Sequence, residues 1–553
     1  MSEFFIELFS EEIPANLQNK TRQDFFQNLK EFLEKEDIKY SGEAKAFSIP
    51  NRLIVYFQNI SKKITKKENE IRGPNINAPE DALNGFLKSY KISIDKTYKK
   101  KTDKGEFYFF KKPSEIIETK FVLQKNLPKI LDKISWKKSM RWADHELYWG
   151  RPLKSILCCF DNKILEFEYH HLASSNITFI DKDFEQKTKK FVRFKDYLTF
   201  FKSQNIILDN KKREQFILDQ LNRIAKKENL KIHFNSNLLN EVTNIVEKPN
   251  IIKCRFNKRF LEIPDDILVT TMQVHQKYFP AFDSKDNLTN NFFLVADNKD
   301  SKGLIKIGNE NVVEARLNDA KFFWDKNKTQ NLVKGISDLK KLSYFERLGS
   351  YFEKIQRLRK LGALISDELL ISKEKVEIAS SICKVDLTSD LVNEFPELQG
   401  VMGGHFAKSQ GFDNDICLAI REHYLPIGPE TKTPKKPYSI TLAMSDKLDT
   451  LSGFFAINLK PTSSKDPFAL RRSAIGLIRL IVENKLEIKL KDIINYSFSL
   501  FSEQDVNFDI KLAQQDLYRF ISDLSLTCIA ILKDSQIASI VPINTIAFAA
   551  LPI

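Results

Sequence analysis

The sequence has few glycines and none of the common motifs that bind nucleotide phosphates. Only 17 of its 553 residues are glycine, and no stretch matches GxxxxGK[ST], GxGxxG or GxSxG. Glycine-rich loops are what allow backbone N–H groups to approach a phosphate closely. The chain therefore has little room for phosphate-cradling loops of these kinds.

Cysteines are also scarce and lack metal-binding spacing. No two of them form a CxxC pair and no histidine cluster lies near them, which argues against a zinc site or a disulfide framework. The N-terminal stretch MSEFFIELFSEEIPA has no basic region, so it does not predict a signal peptide. We expect a cytoplasmic protein with buried, reduced thiols at six positions: Cys158, Cys159, Cys254, Cys383, Cys417 and Cys528.

The charge balance is basic. Lys and Arg number 87 against 73 Asp and Glu, which gives a formal net charge of +14. An excess of this size favours a polyanionic partner, most simply a nucleic acid. The alternative is a lysine-rich surface that is solvated and binds nothing.

Hydrophobic patterns change character along the chain. The first half alternates short β-rich stretches, such as EFFIELF and GEFYFFKKP, with helical ones. From about residue 312 onward the pattern is helical. We therefore predict an α+β multidomain protein: an N-terminal α+β domain (1–125), a central α+β domain (126–334), a mostly helical domain (335–490) and a C-terminal remnant (491–553).

The stretch LKPTSSKDPFALRR, residues 459–472, combines a rigid turn with a cluster of cations. Asp466 is a good N-cap and Pro467 a good first helical residue. On the helix that follows, Leu470, Ala474, Leu477 and Ile481 share one face. The opposite face has Gly476 between Arg472 and Arg479, an open notch that would suit a phosphate or an acidic surface. The alternative is an ordinary amphipathic helix whose arginines face water.

The preceding apolar stretch, YSITLAMSDKLDTLSGFFAINL, contains two carboxylates three residues apart, Asp446 and Asp449. Together they could bind a divalent metal if further ligands lay nearby, and His405 and His423 are the nearest candidates. The alternative is a polar stripe that pairs with neighbouring Lys or Arg side chains.

A long, ordered series of segments spans about residues 3–500. The segments are FFIELFSEEIPA, FSIPNRLIVYFQNI, GPNINAPEDALNGF, SMRWADHELYWGRPLKSIL, IPDDILVTTMQVHQKYFPAFD, GNENVVEARLNDAKFFWDKN, VDLTSDLVNEFPELQGVMGGHFAKSQG, AIREHYLPIGPE and DKLDTLSGFFAINLKPTSSKDPFALRRSAIGLIRL. Taken in this order, the series resembles the beta subunit of bacterial heterotetrameric glycyl-tRNA synthetase.

The resemblance implies an aminoacyl-tRNA synthetase subunit that binds tRNA-Gly and supports assembly. In that family the aminoacylation site lies on a separate alpha subunit, which uses ATP with magnesium, and the complex is α2β2. It implies no catalytic residue, metal or cofactor on this chain and no membrane association. Candidate contacts to tRNA or the partner subunit are Lys465, Arg471, Arg472, Arg479, Arg141 and Arg316.

The helical domain, 335–490, resembles an HD-type domain, whose hydrolytic chemistry needs paired His and Asp ligands on a metal. The corresponding positions here are Lys384, Asp386 and Asp446. Because a protonated lysine cannot ligate a metal, we expect the fold without hydrolase activity. An HD-type phosphohydrolase and a general RNA-binding or scaffold protein are the alternative functions.

The C-terminal thirty residues differ from the family pattern. In 524–553 only Lys533 and Asp534 are charged, where the family continues towards an anticodon-binding helical bundle. We expect a truncated or frameshifted product in which that bundle is missing. The alternative, a membrane anchor at 535–553, is disfavoured by Pro542, Asn544 and several hydroxyl side chains.

Overall fold

The computed structural model describes residues 2–66, 68–180, 187–429, 431–463 and 465–534. The chain divides into two compact units. The first comprises Met1–Arg255 and Gln276–Asn309, and the second comprises Phe256–His275 and Glu310–Ile553.

The strands lie almost entirely in the first unit. In chain order they are β1 Ser2–Ser10, β2 Ala44–Ile49, β3 Arg52–Ile60, β4 Lys63–Lys66, β5 Asn69–Asn75, β6 Thr97–Thr102, β7 Gly105–Lys112, β8 Glu115–Glu118, β9 Leu153–Phe160, β10 Lys163–Ile164, β11 Glu168–Tyr169, β12 Leu172–Ser175, β13 Ile177–Phe179, β14 Thr188–Lys190, β15 Asn250–Arg255, β16 Phe279–Phe282, β17 Leu288–Ala296, β18 Ser343–Phe345 and β19 Gly349–Ser350.

The α-helices are more frequent in the second unit. They are α1 Ala15–Lys35, α2 Glu80–Tyr90, α3 Thr119–Leu131, α4 Phe194–Ser203, α5 Asn210–Lys227, α6 Ser236–Ile245, α7 Asp265–Thr270, α8 Leu304–Asn327, α9 Leu332–Gly335, α10 Tyr351–Glu368, α11 Lys373–Ile382, α12 Asp390–Glu394, α13 Val401–Ser409, α14 Asn414–Glu422, α15 Pro437–Ala456, α16 Leu470–Glu483, α17 Leu490–Ser502 and α18 Ile510–Asp534.

The main sheet of the first unit is centred on β1. Its strand order is β11-β12-β9-β1-β3-β2, with β10 added to β9, and β1 is antiparallel to both β3 and β9. Because side chains alternate along a strand, Phe4 and Ile6 enter a core with α1 and α3, and Phe5 enters the opposite core with α4. Burial on both faces explains why β1 is apolar along most of its length.

Smaller sheets complete the first unit. Two three-stranded sheets have the orders β5-β7-β6 and β15-β17-β16, and two pairs are β4-β8 and β13-β14. Helices α5 and α6 pack on β16 and β17 through an apolar cluster that includes Ile217, Leu238 and Phe293.

The second unit is helical apart from the β18-β19 hairpin. Helix α10 begins with a capping box in which Ser350 and Glu353 satisfy each other's backbone N–H groups. Helix α15 begins with Pro437 at its first position and is buried along nearly its whole length. Its apolar side chains form one core with α10, α16, α17 and α18. Polar groups on α15 therefore have to find partners inside the protein.

The mixed α+β class is confirmed. The predicted domain bounds stay a prediction; within the first unit, β9 from the predicted central domain pairs with β1 from the predicted N-terminal domain. The described residues 524–534 belong to α18. The rest of the tail, 535–553, lies outside the described residues, and the missing bundle stays a prediction.

Candidate nucleic-acid interface

The turn before α16 is held by the carboxylate of Asp466. This carboxylate accepts hydrogen bonds from the backbone N–H groups of Leu470 and Arg471, both at 2.9 Å. The prediction that the helix begins at Pro467 was wrong: it begins at Leu470, because Ala469 has a left-handed backbone with φ +54°. The adjacent Phe468 stacks on Phe454 with ring centroids 4.4 Å apart. Packing of this ring into the core accompanies the late helix start.

The buried face of α16 agrees with its sequence pattern. Leu470, Ala474 and Leu477 are fully buried, and Ile481 packs at the edge of the same core. Hydrophobic periodicity thus determined which face turns inward.

The predicted notch at Gly476 was wrong. Gly476 is buried, and a Cβ there would lie 2.8 Å from the Cε atom of Lys447. The stem of Lys447, which comes from α15, therefore occupies the space that the glycine provides. Sequence reasoning passed over Lys447, although a lysine in a mostly apolar helix is a signal that could have identified it.

Of the four predicted cations on this turn and on α16, two form hydrogen bonds with other parts of the protein. Arg471 donates to the carbonyl oxygen of Thr462 at 2.7 Å. Arg479 donates to the carbonyl oxygens of Gly428 and Thr431, both at 2.9 Å, and pairs with Glu483 at 2.6 Å. These contacts hold two loops against α16, so Arg471 and Arg479 both have a structural role.

The other two cations, Lys465 and Arg472, are exposed. Neither side chain makes a hydrogen bond or an ion pair with any residue that the structure describes. The geometry therefore leaves one ammonium and one guanidinium group available beside a rigid turn, where they can contact an anion.

Arg472 also lines two neighbouring cavities. The first, about 330 Å³, is further lined by Tyr424, Asp446 and Lys447. The second, about 430 Å³, is lined by Arg471 and Arg479 among others. Pro426 and Arg472 line both cavities, so the two spaces adjoin at these residues.

Lys384 and Asp446, two of the three positions predicted to correspond to HD ligands, lie in a buried ionic centre beside the first cavity. Asp446 lies 2.8 Å from the Nζ atom of Lys384 and 3.3 Å from that of Lys354. Burial opposes ionisation of Asp446, but the two ammonium groups prevail and hold its pKa well below the usual range. Asp446 therefore forms ion pairs with both lysines.

His423 completes this centre as a neutral imidazole. Its Nε2 atom lies 2.9 Å from the Nζ atom of Lys384, and its Nδ1 atom lies 2.6 Å from the carbonyl oxygen of Ile420. Burial and the adjacent Lys384 lower the pKa of His423 to about 3. Tautomer assignment from these two contacts has Nδ1–H donating to Ile420 and Nε2 accepting from Lys384.

Asp449 and Asp386 are engaged differently. Asp449 lies 2.5 Å from the Nε atom of Arg357 and 2.9 Å from the Nζ atom of Lys354. The carboxylate of Asp386 accepts hydrogen bonds from the backbone N–H groups of Gly400 and Gly403 at the start of α13. Burial raises the pKa of Asp386 to about 6. The geometry therefore matches the alternative in which Asp446 and Asp449 pair with Lys and Arg. In the part of the chain that the structure describes, no group of three His, Cys, Asp or Glu could hold a metal.

The remaining candidates have other surroundings. Arg141 is exposed in the first unit, on a loop whose ends, Met140 and Trp149, pair through two backbone hydrogen bonds. Arg316 is exposed on α8 and lies 3.6 Å from Glu394. His405, considered above as a metal ligand, instead pairs with Asp266 at 2.8 Å. Five cysteines are buried and reduced as expected, and the side chain of Cys528 lies outside the described residues.

Within the described residues, every helix is too short or too polar to cross a bilayer.

Comparison with known proteins identifies the family directly. Residues 4–537 match the family model described as glycyl-tRNA synthetase beta subunit.

Curated relatives carry the name glycine–tRNA ligase beta subunit. The relative from Rickettsia felis is 36% identical over 504 residues, covering 91% of this chain and 75% of the relative. The one from Rickettsia bellii is 35% identical over 543 residues, covering 98% and 82%. The one from Rickettsia typhi is 37% identical over 502 residues, covering 91% and 74%. The chain therefore belongs to the glycyl-tRNA synthetase beta subunit family.

Proposed function

We propose that this chain is the tRNA-binding, assembly-supporting subunit of a cytoplasmic enzyme that attaches glycine to tRNA-Gly. The observation that carries the proposal is the family match over residues 4–537, since its description names a beta subunit and a glycyl-tRNA synthetase. A beta subunit requires an alpha subunit, and we propose the α2β2 stoichiometry for the complex.

Binding of RNA is supported by the charge of the chain and by the turn before α16. The net charge of +14 supplies attraction to a polyanion. Lys465 and Arg472 are exposed and have no partner among the described residues, while Asp466 holds the backbone that carries them. Cations presented from a braced backbone lose less conformational entropy when they contact a phosphate.

The adenylate-forming reaction is assigned to the alpha subunit. The sequence of this chain has no glycine-rich phosphate loop of the common kinds. We propose that ATP and magnesium act on the partner and that this chain contributes RNA binding and assembly.

Reconstitution tests the proposal. The chain and the alpha subunit encoded in the same genome are purified separately, and charging of a tRNA-Gly transcript with radioactive glycine is measured for each and for the mixture. We expect charging by the mixture, together with co-elution of the two proteins in gel filtration. Failure of the two to associate, or equal charging by the alpha subunit alone, would contradict the proposed role.

A further inference from the structure

Lys447 is a buried ammonium group with fewer acceptors than it can use. Its side chain is only 6% exposed, and its Nζ atom donates to the carbonyl oxygen of Tyr424 at 3.0 Å. An ammonium group has three donors. Across the described residues we find no second hydrogen bond and no carboxylate within ion-pair distance of this nitrogen. Two donors therefore have no acceptor among the described residues, and Lys447 is one of the residues that line the first cavity.

The acidic groups that line the same cavity are already engaged. Asp446 pairs with Lys354 and Lys384, and Glu397 pairs with His275 at 2.6 Å. Burial lowers the pKa of Lys447 to about 8, and although Asp446 opposes this shift, Lys384 and Lys354 reinforce it. A buried cation without a counter-ion is unfavourable, and an incoming anion would relieve that cost.

Arg472 extends the positive site into the second cavity. Arg472 lines both spaces, and its guanidinium group has no partner among the described residues. The volumes of about 330 and 430 Å³ are each in the range of small-molecule sites, which begins at roughly 300 Å³. One space thus has room for a phosphate, and the adjoining one has room for the group that carries it.

We propose that Lys447 and Arg472 bind one phosphate group of a nucleotide. The sugar and base attached to that phosphate lie in the second cavity, beside Arg471 and Arg479. The identification of RNA as the source of the nucleotide rests on the proposed function, whereas the phosphate chemistry itself does not. A free nucleoside monophosphate is the other source of the same chemistry.

Three variants of the full chain test the site. Arg472→Ala and Lys447→Met each remove one cation, and Arg519→Ala is the matched control, because Arg519 is an exposed arginine on α18 that lines neither cavity. Binding of a tRNA-Gly transcript is measured by filter binding over a KCl series, and binding of AMP is measured by calorimetry. Circular dichroism confirms that each variant is folded.

We expect each site variant to weaken tRNA binding about tenfold, as for one lost charged hydrogen bond. The salt slope should fall by about one unit for each lost phosphate contact. Arg519→Ala should match the unmodified chain. AMP binding that both site variants abolish, with tRNA binding unchanged, would support the phosphate site and identify the free nucleotide as its ligand.

Unchanged affinity for both tRNA and AMP in Arg472→Ala would overturn the proposal. This variant alone is decisive even if Lys447→Met fails to fold, since Arg472 is exposed. If the unmodified chain binds tRNA and the site variants bind both tRNA and AMP as well as it does, the phosphate site fails while the RNA-binding function stands. If the chain and its alpha partner bind no tRNA at all, the proposed function fails instead, and AMP binding alone decides the phosphate site.

Discussion

At the scale of single residues, the buried charges of α15 are held by partners from several parts of the second unit. Asp449 is fully buried between Lys354 and Arg357 of α10. Burial opposes its ionisation, but Arg357 and Lys354 outweigh that effect and lower the pKa of Asp449. Breaking such a set is costly, because removing one member leaves the others charged, buried and uncompensated.

Replacing Asp449 should therefore destabilise the protein strongly. We expect Asp449→Ala to cost about 3–5 kcal/mol in the free energy of unfolding, measured by urea denaturation. Asp367→Ala is the matched control, since Asp367 makes an exposed pair with Lys373, and such pairs contribute about 1 kcal/mol or less. Similar losses in the two variants would show that the buried network does not stabilise the fold.

Lys447 should make stability depend on pH in the alkaline range. Burial lowers its pKa from 10.5 to about 8. Between these values the unfolded chain binds more protons, so the contribution of Lys447 to stability rises with pH and is least favourable below pH 8. Lys447→Met removes this titration.

We expect Lys447→Met to be more stable than the unmodified chain at pH 7, by at most about 3 kcal/mol. The advantage should shrink between pH 8 and 10.5, which urea denaturation at several pH values in the absence of phosphate would measure. A difference that stays constant over this range would show that Lys447 titrates as an exposed lysine.

At the scale of secondary structure, α16 begins where a carboxylate three residues before its N-cap satisfies two backbone donors. The first N–H groups of a helix have no partner within the helix. The carboxylate of Asp466 accepts hydrogen bonds from the N–H groups of Leu470 and Arg471. Its negative charge also offsets the unfavourable position of the cations near the positive end of the helix dipole.

Removing this cap should loosen the turn as well as the helix. We expect Asp466→Ala to cost about 1 kcal/mol, within the usual range for lost caps, and Asp466→Asn to cost less. Asp492→Ala is the control, because Asp492 lies in the first turn of α17, where the N-cap makes no side-chain hydrogen bond. An equal effect of the two alanine variants on the melting temperature would argue against a capping role.

At the scale of the whole molecule, the catalytic step and the RNA-binding role are expected to be separable. Because we assign adenylate formation to the alpha subunit, the isolated chain should show no glycine-dependent exchange of pyrophosphate into ATP. The same preparation should bind tRNA with a strong dependence on salt. Measurable exchange by the purified chain, free of any alpha subunit, would refute this division.

The sequence by itself determined the features that depend on local pattern. Periodicity placed Leu470, Ala474 and Leu477 on the buried face of α16, and the change from alternating to helical patterns placed most of the strands before residue 312. The ordered series of segments identified the family, because it extends over most of the chain. These features depend on residues close together in the sequence or on their order.

Only the tertiary structure decided which charged groups are available. Arg472 and Arg479 are equivalent in a helical pattern, yet Arg479 is bound by Gly428 and Thr431 and Arg472 is not. The space at Gly476 is filled by Lys447 from another helix. Such pairings depend on segments that are distant in the chain, and hydrophobic periodicity carries no information about which distant carbonyl or ammonium group arrives at a given side chain.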